Sequence, residues 1–429
     1  MKNTKVSAHR AFALLKELAY ERVSCSAAER QAAQRLMEEA QSAGVEAWIE
    51  DFPVQCGEVS KAVLKVTSPY VKEIEVTGYE CALSTPEGGA DMEFYYAENL
   101  TPVHLLNVKG KAVLINGRLR RGDYEKLQKA GAGAILTFSG STIDRPSETD
   151  CDIRKLREVL VEPFGQAVAL NMRAADAAEM VRRGAKTVHI ELESTCMEKT
   201  SCNVCAVIPG TKVPDEIISF GAHFDSVYFS TGVYDNMSGS VIIMELLRYF
   251  AANPPARTMK FNWYGSEEQG LLGSKAWVKA HQDELDKHVM MLNIDVAAAT
   301  LGQNAAPILA TDKVVGYVDA LMREAGVACE CKLDIYSSDC IPFADNGVPA
   351  INLCRFGTQG AGFIHDRRDN LRSGYLDEKA LDITLQQALM LARRVDDSVV
   401  FPFDKTISDD IRKKVDEYLF KDPKKDAKQ

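Results

Sequence analysis

The chain has no basic excess, no long apolar run and few histidines. Its 429 residues carry 51 Lys and Arg against 61 Asp and Glu, a formal net charge of −10. That balance argues against nucleic acid or an anionic membrane surface as partner. No stretch approaches the roughly 20 apolar residues of a membrane-spanning helix. The opening MKNTKVSAHRAFALLKELAYER lacks the uninterrupted apolar core of a secretory signal, because Lys16 and Glu17 break it at helical spacing. The 11 cysteines are odd in number and follow no framework spacing. Reduced thiols in a cytoplasmic protein are therefore expected. Cys202 and Cys205 form the sole CxxC. With no second pair, and within the strand-like SCNVCAVIPG, they read as packing residues rather than a zinc or redox pair. No internal repeat is evident.

What is present is an ordinary globular chain long enough for two or three domains. Residues 7 to 19 and 26 to 43 read as amphipathic helices, the second capped by Ser26 and ended by Gly44. VEAWIEDF and KAVLKVTS read as the two strands of a hairpin. From about residue 70 to 193, short strands and Pro/Gly turns dominate. A β-α-β piece at 108 to 140 lies inside that stretch, and its Gly131 and Gly133 end a short helix. His104 and His189 are the only histidines of the segment, and each is isolated. After residue 195 the apolar strands EIISF, TMKFNWYG, HVMMLNID and PAINLCRF alternate with helical stretches at 238 to 251, 272 to 283, 312 to 325 and 377 to 395. Such alternation predicts an α/β fold, with a mostly parallel central sheet flanked by helices on both faces. Three parts are expected: a discontinuous catalytic domain of 1–69 and 194–405, an insert of 70–193, and a C-terminal helix with a charged tail at 406–429.

Chemistry-bearing residues gather at the C-terminal ends of these strands. His223 and Asp225 follow EIISF, and Asp235 lies in the next loop. Glu267 and Glu268 follow NWYGS, Asp295 ends LNID, and His365 follows PAINLCRF. Open α/β sheets place their sites on that edge. So many carboxylates in one crevice would repel strongly, and cations would relieve the repulsion. Two imidazoles and several carboxylates suit Zn²⁺, with Mn²⁺ or Co²⁺ possible. Five candidate ligands (His223, Asp235, Glu268, Asp295 and His365) fit two metals if one carboxylate bridges. Asp235, on a tight loop before a helix, is the natural bridge. Asp225 is then free to hold the other ring nitrogen of His223. Of the adjacent Glu267 and Glu268, one can bind metal while the other acts as general base.

GAHFDS, YDNMSG, NWYGSEEQGLLGS, LNID, SSDCIPFADNGVPAINL and HDRRD together resemble the family 28 metallopeptidases, the di-zinc aminopeptidases. Residues 108 to 140 separately resemble the protease-associated domain that many members carry as an insert. The resemblance implies a zinc exopeptidase fold and two zinc ions. One would take His223 and Asp295 and the other Glu268 and His365, with Asp235 bridging. Glu267 would be the base and Asp225 would orient His223. Asp369 would do the same for His365, and the Asp235–Asn236 peptide would be cis. Two departures stand out. Ile364 occupies the place where many members have a carbonyl-polarising tyrosine, which leaves Tyr336 as a substitute donor. Met237 replaces a small residue and either packs or narrows the pocket. The expected activity is removal of an N-terminal residue from peptides. The alternatives are a carboxypeptidase or dipeptidase using Arg355, Arg367 or Arg368, an inert binding homologue, or a mono-zinc glutaminyl-cyclase-like activity.

Overall fold

Two serines start the N-terminal helices. The Ser7 side chain accepts from the Arg10 N–H at the head of α1 (Ala8–Glu17), and Ser26 accepts from the Glu29 N–H at the head of α2 (Ala27–Ser42). The apolar face of α1, with Ala11, Phe12, Leu14 and Leu15, is buried. These details come from a computed structural model that describes residues 5–145 and 147–421. The chain divides into two units: Met1–Phe52 with Thr200–Gln429, and Pro53–Lys199.

The first unit is built on a mixed sheet. Its strands are β1 (Thr187–Ile208, whose last residues belong here), β2 (Val213–His223), β3 (Arg257–Tyr264), β4 (His288–Ile294), β5 (Gly302–Leu309), β6 (Glu330–Leu333) and β7 (Ala350–Gly357). The spatial order is β6-β5-β7-β4-β2-β3-β1. β3-β2-β4-β7 are mutually parallel, whereas β1 and β5 run antiparallel to their inner neighbours. Alternate residues bury opposite faces. Phe220, Phe261, Leu292 and Ile351 pack with the helices Ser238–Ala252 and Glu378–Asp396. Tyr264, Met291 and Ala350 pack on the other face with Trp277, Phe343 and Ile411. The four expected helices occur at 238–252, 272–280, 312–324 and 378–396. The fold is the expected α/β sheet covered on both faces.

Some sequence readings need correction. VEAWIEDF and KAVLKVTS are not hairpin partners, because Glu46–Ser68 is one continuous 23-residue strand. Alternating burial carries the strand through PVQCGEVS, and its end pairs with Lys72–Ile74 instead. The unit boundary accordingly falls at residue 53, inside this strand, rather than near 70. The C-terminal helix (Asp409–Tyr418) packs into the first unit through Ile411 and Val415 rather than standing apart. Of the tail KDPKKDAKQ, residues 422–429 lie outside the described residues.

The second unit holds its own core, with Val113, Leu136, Leu170 and Tyr124 fully buried. Ala112–Leu114, Ala134–Ser139 and Val168–Arg173 are parallel neighbours. Arg121–Ala130 connects the first two and ends on Gly131, at φ +74. His189 is spent on Asp91, at 2.8 Å, and His104 on Thr101, at 3.0 Å.

Reduced thiols throughout were expected, yet the structure joins Cys81 to Cys196, 115 residues apart in sequence. Disulfides belong mainly to oxidising compartments, so the cytoplasmic expectation does not extend to this pair. Thiol titration under non-reducing denaturation is expected to count nine free cysteines, and 11 after reduction. A count of 11 without reductant contradicts the bridge. Cys202 and Cys205 are buried and free.

Candidate functional site

Each central parallel strand delivers chemistry at its C-terminal end. β2 ends on His223, with Asp225 two residues on. β3 ends at Tyr264, three residues before Glu267. β4 ends at Ile294, and Asp295 follows. β7 ends at Gly357, and His365 lies in the loop beyond. Asp235 sits in the turn Val233–Met237 before the helix Ser238–Ala252, and the Asp235–Asn236 peptide is cis. All seven expected site residues belong to the first unit.

The two carboxylate oxygens of Asp235 face different histidines. Oδ1 lies 3.1 Å from His223 Nε2, and Oδ2 lies 3.3 Å from His365 Nε2. Each histidine has a second carboxylate beside the same nitrogen. Asp295 is 3.7 Å from His223 Nε2, and Glu268 is 2.8 Å from His365 Nε2. Ligand atoms of His223, Asp235 and Glu268 fall within 4.8 Å of one another. Glu267 Oε2 is 4.0 Å from His223 Nε2. The opposite ring nitrogen of His223 meets Asp225 at 3.3 Å.

Asp225 has a second task. Its fully buried carboxylate accepts the backbone N–H groups of Glu267 and Glu268, at 3.1 and 3.2 Å. It thereby ties the β2 loop to the β3 loop. Asp369 accepts the N–H groups of Tyr234 and Asp235 at 2.8 and 3.0 Å, and the Tyr375 hydroxyl at 3.2 Å. The structure thus places Asp369 on the backbone that carries Asp235.

Sequence reading missed two further braces. Arg22 is fully buried, and its guanidinium donates to the carbonyls of Leu18, Tyr20, Phe224, Thr231 and Gly232. These contacts clamp the loop between His223 and Asp235. Burial pushes its pKa down to about 10. Glu29 accepts the N–H groups of Cys25 and Ser266 and the Ser201 hydroxyl, at 2.6, 3.1 and 2.8 Å. Ser266 is held in the left-handed region at φ +52, just before Glu267. Burial, with the Asp225 charge adding, pushes Glu29 up to about 8. In sequence, Ser26 and Glu29 look like a helix cap, and nothing about Arg22 marks it.

The site is electrostatically crowded. Burial alone would raise Asp235, but His223 and His365 outweigh it and hold this carboxylate below its usual range. Glu267 is pushed well up by burial and then by Glu268, Asp339 and Asp295, against the pull of His223. Burial likewise raises Glu268 and Asp295. Burial disfavours the charged His223 ring, yet the surrounding carboxylates raise it well above its usual value. A positive centre between these groups would satisfy the same carboxylates, which is the donor chemistry of a divalent metal site.

Residues 203–392 match peptidase family M28. Relatives include Aminopeptidase YwaD of Bacillus subtilis (strain 168), 27% identical over 261 residues, covering 58% of this chain and 54% of that protein. An aminopeptidase of Pseudomonas aeruginosa (strain UCBPP-PA14) is 26% identical over 182 residues, covering 40% of this chain and 31% of that protein. The chain thus spans about half or less of the length of these relatives. Among solved structures, BSAP, a zinc aminopeptidase from Bacillus subtilis, superposes with a TM-score of 0.76 at 20% identity, over 95% of this chain and 100% of that one. A peptidase M28 precursor from Shewanella amazonensis gives 0.74 at 24% identity, over 92% and 93%. At these identities the likeness is one of fold.

Within the matched segment the two departures resolve differently. Met237 is fully buried in the core beneath the sheet, so it packs and does not narrow a pocket. Ile364 is 43% exposed. Tyr336 packs against Phe356 with the rings tilted by 58° and their centroids 5.1 Å apart. Its phenol is raised far above its usual pKa by burial and then by the charges of Asp295, Asp235 and Glu267. It therefore stays a protonated hydroxyl beside the site.

Proposed function

We propose that the protein is a zinc-dependent aminopeptidase that removes the N-terminal residue of peptides. The observation that carries this reading is the division of Asp235, one oxygen toward His223 and the other toward His365. His223 and Asp295 would hold one zinc, Glu268 and His365 a second, and Asp235 both. Bound zinc would supply Lewis acidity and an acidified water. Glu267 takes the proton of the attacking water and returns it to the leaving amine. Asp225 fixes the His223 ring and the backbone of Glu267 and Glu268 together. Tyr336 donates to the scissile carbonyl, the role that Ile364 cannot fill. The segment 70–193, expected as a protease-associated insert, would supply neither ligand nor base.

The carboxypeptidase alternative loses support at two of its three arginines. Arg355 donates to the Ala299 and Thr300 carbonyls and to Asn304, and Arg368 pairs with Asp366 at 2.6 Å. The test is a panel of aminoacyl p-nitroanilides, free dipeptides and N-acetylated dipeptides, assayed with zinc. Hydrolysis that requires a free α-amine is expected. Cleavage of the N-acetylated dipeptides at comparable rates would assign the carboxypeptidase activity instead.

A further inference from the structure

The turn that carries Glu267 and Glu268 hangs on side chains. Four consecutive backbone N–H groups, those of Gly265, Ser266, Glu267 and Glu268, donate to side-chain oxygens. The acceptors are Asn203 Oδ1 at 3.2 Å, Glu29 Oε1 at 3.1 Å, and the two Asp225 oxygens at 3.1 and 3.2 Å. Past Glu268 the backbone serves itself. Gln269 and Leu272 donate to the Ser266 carbonyl, and Gly270 and Leu271 donate to the Glu267 carbonyl. The three accepting side chains come from three separate segments: α2, β1 and the loop after β2. All three are buried.

Asp225 also meets His223 and so belongs in part to the proposed metal centre. Glu29 and Asn203 are committed to the turn and its surroundings instead. Glu29 divides its two oxygens. Oε2 accepts the Cys25 N–H at 2.6 Å, which finishes the start of α2. Oε1 is surplus to that cap, and it accepts the Ser266 N–H and the Ser201 hydroxyl. Asn203 divides its amide in the same way. Oδ1 takes the Gly265 N–H, and Nδ2 donates to the Gly273 carbonyl at 2.9 Å. It therefore clips together the two ends of the segment 265–273. A Cβ at Gly273 would collide with the Gly265 carbonyl oxygen and with Asn203 Oδ1, so the clip closes only on a glycine.

Finding acceptors for four N–H groups is an ordinary demand of any buried turn. The sharper feature is Ser266. It sits between these contacts at φ +52, in a region that residues other than glycine avoid. Holding Ser266 there sets the direction in which Glu267 leaves the backbone. Strained backbone of this kind concentrates at functional sites.

We propose that Glu29 and Asn203 are positioning residues for Glu267, which act by holding the backbone of Gly265 and Ser266. The proposal rests on the reading of Glu267 as the general base. A reacting group misplaced by about 1 Å can cost roughly 10²-fold in rate.

Glu29→Gln keeps the size of the side chain but turns an NH₂ toward a donor that now meets an oxygen. Asn203→Ala removes both contacts of the clip. Each variant is expected to lower kcat about 10–100-fold, with KM and bound zinc near wild type. A brace that served stability alone would lower Tm and leave the kcat of the folded protein unchanged. In a Glu267→Gln background neither change should add a further loss, because the effect passes through the base. If one variant does not fold, the other decides alone. Wild-type kcat in the folded variants overturns the proposal. So does failure of both to fold, zinc lost in step with activity, or losses that multiply in the double variants. Failure of the underlying reading looks different: Glu267→Gln alone would then remain active.

Discussion

Glu267→Gln is expected to reduce kcat by roughly 10²–10⁴-fold while the protein keeps its full zinc complement. The amide preserves the shape of the side chain and leaves all five proposed ligands in place. The backbone N–H of residue 267 still reaches Asp225, so the turn that carries Glu268 is not disturbed. Only the proton acceptor disappears. The adjacent Glu268→Gln should fail differently. Glu268 stands 2.8 Å from His365 Nε2, so its loss should weaken the His365 half of the centre first, with activity partly restored by excess zinc. Kinetics and metal content measured on both variants decide the assignment. Metal lost from the Glu267 variant and kept in the Glu268 variant would exchange the two roles.

Asp235→Asn is expected to have the larger effect on metal. One oxygen of this carboxylate serves each half of the site. Removing its charge should weaken both ions together and lower activity by more than the roughly 10–100-fold typical of groups behind the ligands. Asp295→Asn and Glu268→Gln should each release one zinc equivalent, whereas Asp235→Asn should release both. Direct metal analysis after dialysis separates these outcomes. Loss of a single equivalent from the Asp235 variant would mean that the carboxylate serves one ion only.

The convergence of these residues was legible because they sit where strand periodicity ends. EIISF, KFNWYGS, HVMMLNID and PAINLCRF announce buried parallel strands, and the histidines and acids follow them directly in sequence. A local pattern therefore located seven residues that the sheet gathers onto one edge. The braces behind them were not legible, because they act across the chain. Arg22 reaches Phe224 and Gly232 from about 200 positions away, and Glu29 reaches Ser266 from 237. A buried arginine that serves only carbonyls has no acidic partner to betray it in sequence. The long strand Glu46–Ser68 was misread as a hairpin because Pro53 and Gly57 resemble a turn. Gly57 instead serves close packing, since a Cβ there would meet Glu80 Cβ at 2.4 Å. Cys81 and Cys196 went unpaired because no spacing rule links residues 115 apart.

The central claim is that five ligands converge on a bridged metal pair. The most direct measurement is the zinc content of the wild-type protein, saturated with zinc and then dialysed against metal-free buffer. The account predicts about two equivalents per chain, as a shared carboxylate between two ions requires. A plateau at one equivalent would contradict the bridge, and a plateau at zero would contradict the metal centre itself.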